Sequence, residues 1–270
     1  MVESREPYPA YTEFEPDKKA FSVLQRMSDA MADLVWPPEC PLERVSVDRA
    51  GHLSPQAWGA LDFISDPACQ SCGFPLPYET GGQSDDGLTC GACLANPPRY
   101  DWARAPLAYD DTIKPLVLAL KNADRRDMLP LFARWMAASI RDRAAPDAVI
   151  IPVPLFWRRL LGRRYNQSAL LARALALETG LAVDTGNLHR RRATPSQAGQ
   201  GAKARRRNMS GAFAVRDKTR LKGRPVLLVD DVLTTGATVT ACARTLKRAG
   251  CGPLGVVTLC RVVKGVDVTI

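Results

Sequence analysis

Val226-Leu-Leu-Val-Asp230-Asp231-Val-Leu-Thr234-Thr235-Gly236-Ala237-Thr238 is the stretch whose reading decides the fold. Four consecutive apolar residues suit a strand buried on both faces of a parallel sheet. The spacing predicts that this strand ends in the two adjacent acids. A loop of threonines and one glycine follows, then a helix. Ligands of open α/β sheets bind at the carboxyl ends of strands, so both carboxylates are expected at a site. Loop N–H groups, threonine hydroxyls and a helix N-terminus together make an anion cradle. Gly236 lets the backbone approach an anion without a Cβ in the way. Two acids would repel a bare phosphate, so a phosphorylated sugar is the natural ligand. The cradle takes its phosphate and the acids take its hydroxyls, with Mg²⁺ relieving the repulsion. A plainer alternative has Asp230 and Asp231 only capping the loop, with Thr234 to Thr238 as an ordinary helix start.

The flanking sequence supports an α/β setting. Ala105 to Tyr109 reads as a strand, and Ile113 to Leu120 and Met128 to Ile140 as helices. Ala148 to Val153 reads as a buried strand. Asn166 stands where a helix cap belongs, apolar residues follow at helical spacing, and Gly180 falls just past the helix end. Val239, Cys242, Leu246 and Ala249 form an apolar helix face with Arg244, Lys247 and Arg248 in its last turns. Leu254 to Leu259 supplies another strand. Strands alternating with helices imply right-handed βαβ units and a mostly parallel sheet.

The chain has 270 residues and a formal charge of +9. Hydrophobic residues at 46% and charged residues at 24% exclude a wholly disordered or collagen-like chain. The charge is segregated: residues 1–100 are net −8, whereas residues 151–225 hold 17 basic against 3 acidic side chains. Such asymmetry points to a polyanionic partner. Within this stretch, residues 190–210 are basic, lack aromatics and contain Gly199 and Gly201. They read as a mobile lid whose Lys203, Arg205 and Arg206 could neutralise a departing anion. A nucleic-acid surface is the second reading, although single-strand binders usually interleave aromatics with basic residues. A solvated basic face is the third.

Cys69-Gln-Ser-Cys72 and Cys90-Gly-Ala-Cys93 are two Cys-x₂-Cys pairs at the spacing of a four-cysteine zinc site. Four protein ligands imply a closed, structural Zn²⁺ site; an iron–sulfur cluster is the less favoured alternative. Cys40 and His52 are left over and read as structural residues. Cys242, Cys251 and Cys260 read as small core residues. The polar start lacks the apolar core of a secretory signal, and there is no stretch of about 18 uncharged apolar residues. A cytoplasmic protein with reduced thiols and no membrane span is expected. No internal repeat is apparent.

The Asp-Asp-to-threonine segment resembles the phosphoribosyl-pyrophosphate (PRPP) motif of type I phosphoribosyltransferases. The resemblance implies that Asp230 and Asp231 bind the ribose hydroxyls, while Thr234, Thr235, Gly236, Ala237 and Thr238 hold the 5′-phosphate. It places a pyrophosphate loop after the first core strand, at Ile151-Pro152-Val153-Pro154-Leu155. Two prolines remove N–H donors there, so the amides of Val153, Leu155 and Phe156 and the guanidinium of Arg158 or Arg159 are left to hold pyrophosphate. The basic lid is similar to the flexible loop of these enzymes. Trp36-Pro-Pro-Glu-Cys40, the two cysteine pairs, the Pro-x-Pro loop, Arg164-Tyr165-Asn166-Gln167 and the PRPP motif together resemble the ComF family of bacterial competence-related proteins. The expected organisation is a disordered tail (1–16), an N-terminal helix from about 18 to 36 followed by an insertion (17–68), a zinc-ribbon-like module (69–100) and a phosphoribosyltransferase-like domain (101–270). The family implies a phosphoribosyltransferase fold and, in some members, a part in DNA uptake or recombination; the expected function is phosphoribosyl transfer from PRPP to an acceptor with Mg²⁺. Its alternatives are a non-catalytic accessory protein that binds single-stranded DNA among DNA-uptake or recombination proteins, and a PRPP-sensing regulator.

Overall fold

A computed structural model describes residues 37–77, 88–121, 126–155, 165–192 and 211–263. The expected tail and N-terminal helix lie outside the described residues. So do Arg158 and Phe156 of the proposed pyrophosphate loop, and Lys203, Arg205 and Arg206 of the proposed lid. Every element below belongs to the compact unit Glu39–Ile270.

Two short helices come first, α1 (Pro55–Gly59) and α2 (Gly91–Ala95). Strands β1 (Trp102–Arg104) and β2 (Leu107–Ala108) follow, then α3 (Lys114–Lys121) and α4 (Leu129–Ile140). Next come β3 (Val149–Pro152), α5 (Gln167–Thr179), β4 (Ala182–Val183), β5 (Leu188–Arg190) and β6 (Phe213–Val215). The chain closes with β7 (Val226–Leu233), α6 (Ala237–Arg248) and β8 (Leu254–Arg261). The sheet runs β1-β8-β7-β3-β4, with β2 also paired to β8, and every pairing in it is parallel. A separate antiparallel pair joins β5 to β6.

This is the parallel α/β sheet the alternating pattern predicts. One face of the sheet packs on α3, α4 and α5 through Leu116, Phe132, Met136, Leu171 and Leu175. The other packs on α6 and the β5–β6 pair through Val239, Cys242, Leu246 and Phe213. Burial on both faces explains the near-continuous apolar runs of β3, β7 and β8. Asn166 caps α5 by accepting from Ser168 N–H at 3.1 Å, and Gly180 ends it at φ 73°. Cys242 and Cys260 are core residues as expected, whereas Cys251 is only partly buried.

Two sequence expectations shift. The strand expected at Ala105 to Tyr109 shortens to β2, and β1 precedes it at Trp102–Arg104. Strand β7 does not stop at the acids but continues to Leu233. Its register with β8 runs through Asp230↔Thr258, Val232↔Cys260 and Leu233↔Arg261. The neighbour on the other side, β3, ends at Pro152 opposite Val229. The acids are therefore in a strand that keeps one partner and has lost the other. That opens the sheet at their position.

Among the described residues, no helix is long and apolar enough to cross a membrane.

Candidate functional site

The two acids are held by the first turn of α5. Ser168 Oγ donates to Asp230 Oδ1 at 2.8 Å, and Gln167 Nε2 reaches Asp231 Oδ2 at 3.4 Å. Each carboxylate also accepts a backbone N–H: Asp231 N–H at 3.0 Å on Asp230 and Val232 N–H at 2.8 Å on Asp231. Ser168 and Gln167 are almost wholly buried. Burial, with the neighbouring Asp231 charge, pushes the Asp230 carboxyl up to about 8, although the Ser168 hydroxyl pulls the other way. The pair thus tends to hold one proton at neutral pH, as closely spaced carboxylates do.

After β7, Thr234 and Thr235 are exposed, Gly236 adopts φ 68°, and α6 begins at Ala237. The left-handed turn is why glycine stands there; a Cβ would meet nothing nearer than 3.8 Å. No side chain caps this helix, and no acid lies in its first turn. Its leading N–H groups have no intrahelical acceptor, and the positive end of its dipole carries no nearby carboxylate of its own. Anion binding is what such a terminus offers chemically.

An open cleft of about 880 Å³ borders this loop. Its walls carry Thr234, Thr235 and Gly236 together with Arg191, Arg244 and Arg248. Asp230 and Asp231 are not on those walls. They face the α5 side of the same sheet edge.

The Pro-x-Pro loop departs from expectation. Val153 N–H donates to Val229 O at 2.8 Å, and Val153 O accepts from Asn166 Nδ2 at 3.0 Å. Both of its backbone groups are committed to the fold, so Val153 cannot offer its amide to pyrophosphate. The cause is register: Val153 adds one more bond to the β3–β7 ladder beyond Pro152. Pro154 and Leu155 are half-buried beside it.

The four cysteines of the two Cys-x₂-Cys pairs converge as predicted. The sulfurs of Cys69, Cys72, Cys90 and Cys93 all lie within 4.8 Å of one another, and Cys72 Sγ is 3.7 Å from Cys90 Sγ. Tetrahedral zinc with bonds of about 2.3 Å needs sulfur–sulfur edges of about 3.8 Å. Burial raises the Cys69 thiol, but N–H groups of Cys90 and Cys72 outweigh it and bring the pKa down to about 7. The donor set fits a structural Zn²⁺ with no open position.

Two arginines fasten this cluster to the sheet. Arg104 of β1 donates to the carbonyls of Cys69 and Gln70, and Arg261 of β8 donates to Cys72 O while lying over the Phe74 ring. Sequence reading missed both arginines and Ser168. The contact of Ser168 with Asp230 spans 62 residues and has no local signature.

Comparison with known proteins agrees with this geometry. Residues 31–94 match the double zinc ribbon domain and residues 167–268 the phosphoribosyl transferase domain. DNA utilization protein YhgH of Salmonella typhimurium is 35% identical over 199 residues, covering 72% of this chain and 83% of that protein. The chain belongs to the ComF family. Competence protein F of Haemophilus influenzae is 32% identical over 193 residues, covering 69% of this ComF-family chain and 81% of its own. Among solved structures, the allosteric regulatory enzyme of purine biosynthesis is 18% identical, with a TM-score of 0.36 over 53% of this chain and 30% of that one. This family member therefore combines a four-cysteine zinc ribbon with a phosphoribosyltransferase fold.

Proposed function

We propose that the protein binds PRPP with Mg²⁺ at the carboxyl edge of β7 and transfers its phosphoribosyl group to an acceptor. The observation that carries this reading is the paired carboxylates of Asp230 and Asp231, held by Ser168 and Gln167 one turn before a helix-terminal anion cradle. The acids take the ribose 2′ and 3′ hydroxyls. Thr234 to Thr238 take the 5′-phosphate. A bond forms between the acceptor atom and ribose C1, the C1–O bond breaks, and pyrophosphate leaves with the electron pair. The acceptor's proton passes to solvent. The chain's task is to orient the sugar and neutralise the leaving group, so no side-chain nucleophile is needed. The carboxylate pair and the phosphates suit Mg²⁺, which would supply charge neutralisation when bound. Lys203, Arg205, Arg206 and Arg158 are assigned to the pyrophosphate. The setting is cytoplasmic, where the zinc thiolates stay reduced.

Calorimetric titration with PRPP and Mg²⁺ tests the reading. Saturable binding is expected, with proton release as Asp230 ionises against the incoming cation. No heat at millimolar PRPP would sink it. Asp230→Asn combined with Asp231→Asn should abolish the signal. Pyrophosphate release across bases and amines then separates an enzyme from a PRPP-sensing regulator.

A second reading rests on the cationic cleft of Arg191, Arg244 and Arg248 and on the names of the relatives. Here the fold is a scaffold for single-stranded DNA handled with DNA-uptake or recombination proteins. Neutralising Arg244 and Arg248 should flatten the salt dependence of DNA affinity; an unchanged slope would count against it.

A further inference from the structure

Residues 39–60 share the knuckle hydrogen bonds of the zinc ribbon of residues 68–96. In the second ribbon, Cys69 N–H donates to Phe74 O, Gly73 N–H donates to Cys69 O, and Ala68 bridges Pro75. In the first, Cys40 N–H donates to Val45 O, Arg44 N–H donates to Cys40 O, and Glu39 bridges Ser46. Gly73 turns the second knuckle at φ 67°, and Arg44 turns the first at φ 56°. Arg44 is the non-glycine residue with positive φ among the described residues, a conformation that needs a reason. Each knuckle is answered by a five-residue helix. Cys90 caps α2 at φ −68°, ψ 152°, and Ser54 caps α1 at φ −65°, ψ 158°. Cys90 N–H points at Cys69 Sγ, and Ser54 N–H points at Cys40 Sγ. The correspondence puts Cys40, Glu43, Ser54 and Ala57 where Cys69, Cys72, Cys90 and Cys93 stand.

The first set cannot hold zinc. A closed zinc site takes four thiolate, imidazole or carboxylate donors. Ala57 offers none, a serine hydroxyl is not ionised, and Glu43 is engaged by Ser54 Oγ, which also accepts Ala57 N–H at 3.0 Å. His52 is turned to Asp48 at 2.8 Å. Among the described residues, Cys69, Cys72, Cys90 and Cys93 form the one group of three or more such donors close enough to share an ion.

Something else must hold the first ribbon, and packing does. Trp58 of α1 lies 5.5 Å from Trp135 of α4, and Phe63 lies 5.4 Å from both rings. Leu61 is buried against the sheet core, with Leu42 and Leu53 packed beside it. Gly51 sits so close to the main domain that a Cβ would lie 2.3 Å from Asp127 O.

We infer that residues 39–60 are a zinc ribbon that has exchanged its metal for a Cys40–Glu43–Ser54 hydrogen-bonded cluster docked on α4, so that the chain carries one zinc ion rather than two. The segment expected to be an insertion is thus the first of two ribbons. The intact chain, purified without chelator, should contain one zinc by elemental analysis. Cys40→Ser should keep that zinc and leave the cobalt(II) spectrum of the substituted protein unchanged. Glu43→Cys with Ser54→Cys and Ala57→Cys rebuilds four thiols and should raise the content by one equivalent. Two zinc ions in the unaltered chain, or loss of zinc in Cys40→Ser, would overturn the inference without requiring the triple variant to fold. A folded triple variant that gains no metal would overturn the residue correspondence.

Discussion

Replacing Asp230 with Asn should stabilise the unliganded protein, by an amount that grows between about pH 4 and pH 8. In the folded chain burial and the Asp231 charge raise this carboxyl from 3.8 to about 8. The unfolded chain ionises it near its ordinary value. Between these two pH values the folded state keeps a proton that the unfolded state has released, so stability falls as pH rises. Below about pH 4 both states are protonated and nothing is lost. Each pKa unit corresponds to about 1.4 kcal/mol, so a rise of roughly four units sets a ceiling of about 6 kcal/mol. Asp230 is only half-buried, and water at the open sheet edge screens much of that cost. The expected gain at pH 8 is about 2 kcal/mol, or roughly 4 to 8 °C in Tm for a domain of this size. Asn keeps the Oδ1 acceptor for Ser168 Oγ and Asp231 N–H, so no hydrogen bond is sacrificed. Scanning calorimetry of both proteins at pH 4, 6 and 8 reads the effect. A variant less stable than the parent at pH 8, or a gain independent of pH, would refute the reasoning. The same substitution should cost PRPP binding, which sets stability against function at one residue.

Other consequences follow from the same contacts. Cys72→Ser should lose the zinc and melt the second ribbon, because structural zinc contributes on the order of 10 kcal/mol in small metal domains; elemental analysis and limited proteolysis check it. Gly73→Ala should destabilise by at least ~2 kcal/mol, since φ is 67° and a Cβ would lie 2.6 Å from Ala103 O; denaturant unfolding measures the loss. Ser168→Ala removes the hydroxyl donor to Asp230 and should weaken PRPP binding by about tenfold or more, measured by calorimetry beside an unchanged zinc content.

Local patterns carried much of this protein. The apolar run of Val226 to Val229 named a buried parallel strand because only a strand covered on both faces tolerates unbroken hydrophobicity. Asn166 and Gly180 marked the ends of α5 because capping is a property of a few adjacent residues. The paired Cys-x₂-Cys spacing named the zinc ribbon for the same reason: each pair bites the ion from a single turn. The adjacent acids and the threonine–glycine loop pointed to a sugar-phosphate site through their chemistry alone.

What the tertiary structure decided are the long-range matters. Strand β7 runs past the acids because β8 pairs with it there while β3 stops, and strand length depends on partners that sequence does not display. Val153 spends its amide on Val229 for the same reason. Ser168 meets Asp230 because α5 lies across the end of β7. The first ribbon was hidden because Cys40, Glu43, Ser54 and Ala57 make no cysteine pattern, while the knuckle backbone matches that of the second ribbon. Side chains advertise a metal site, but hydrogen bonds and packing on Trp135 hold the same shape where metal ligands are absent.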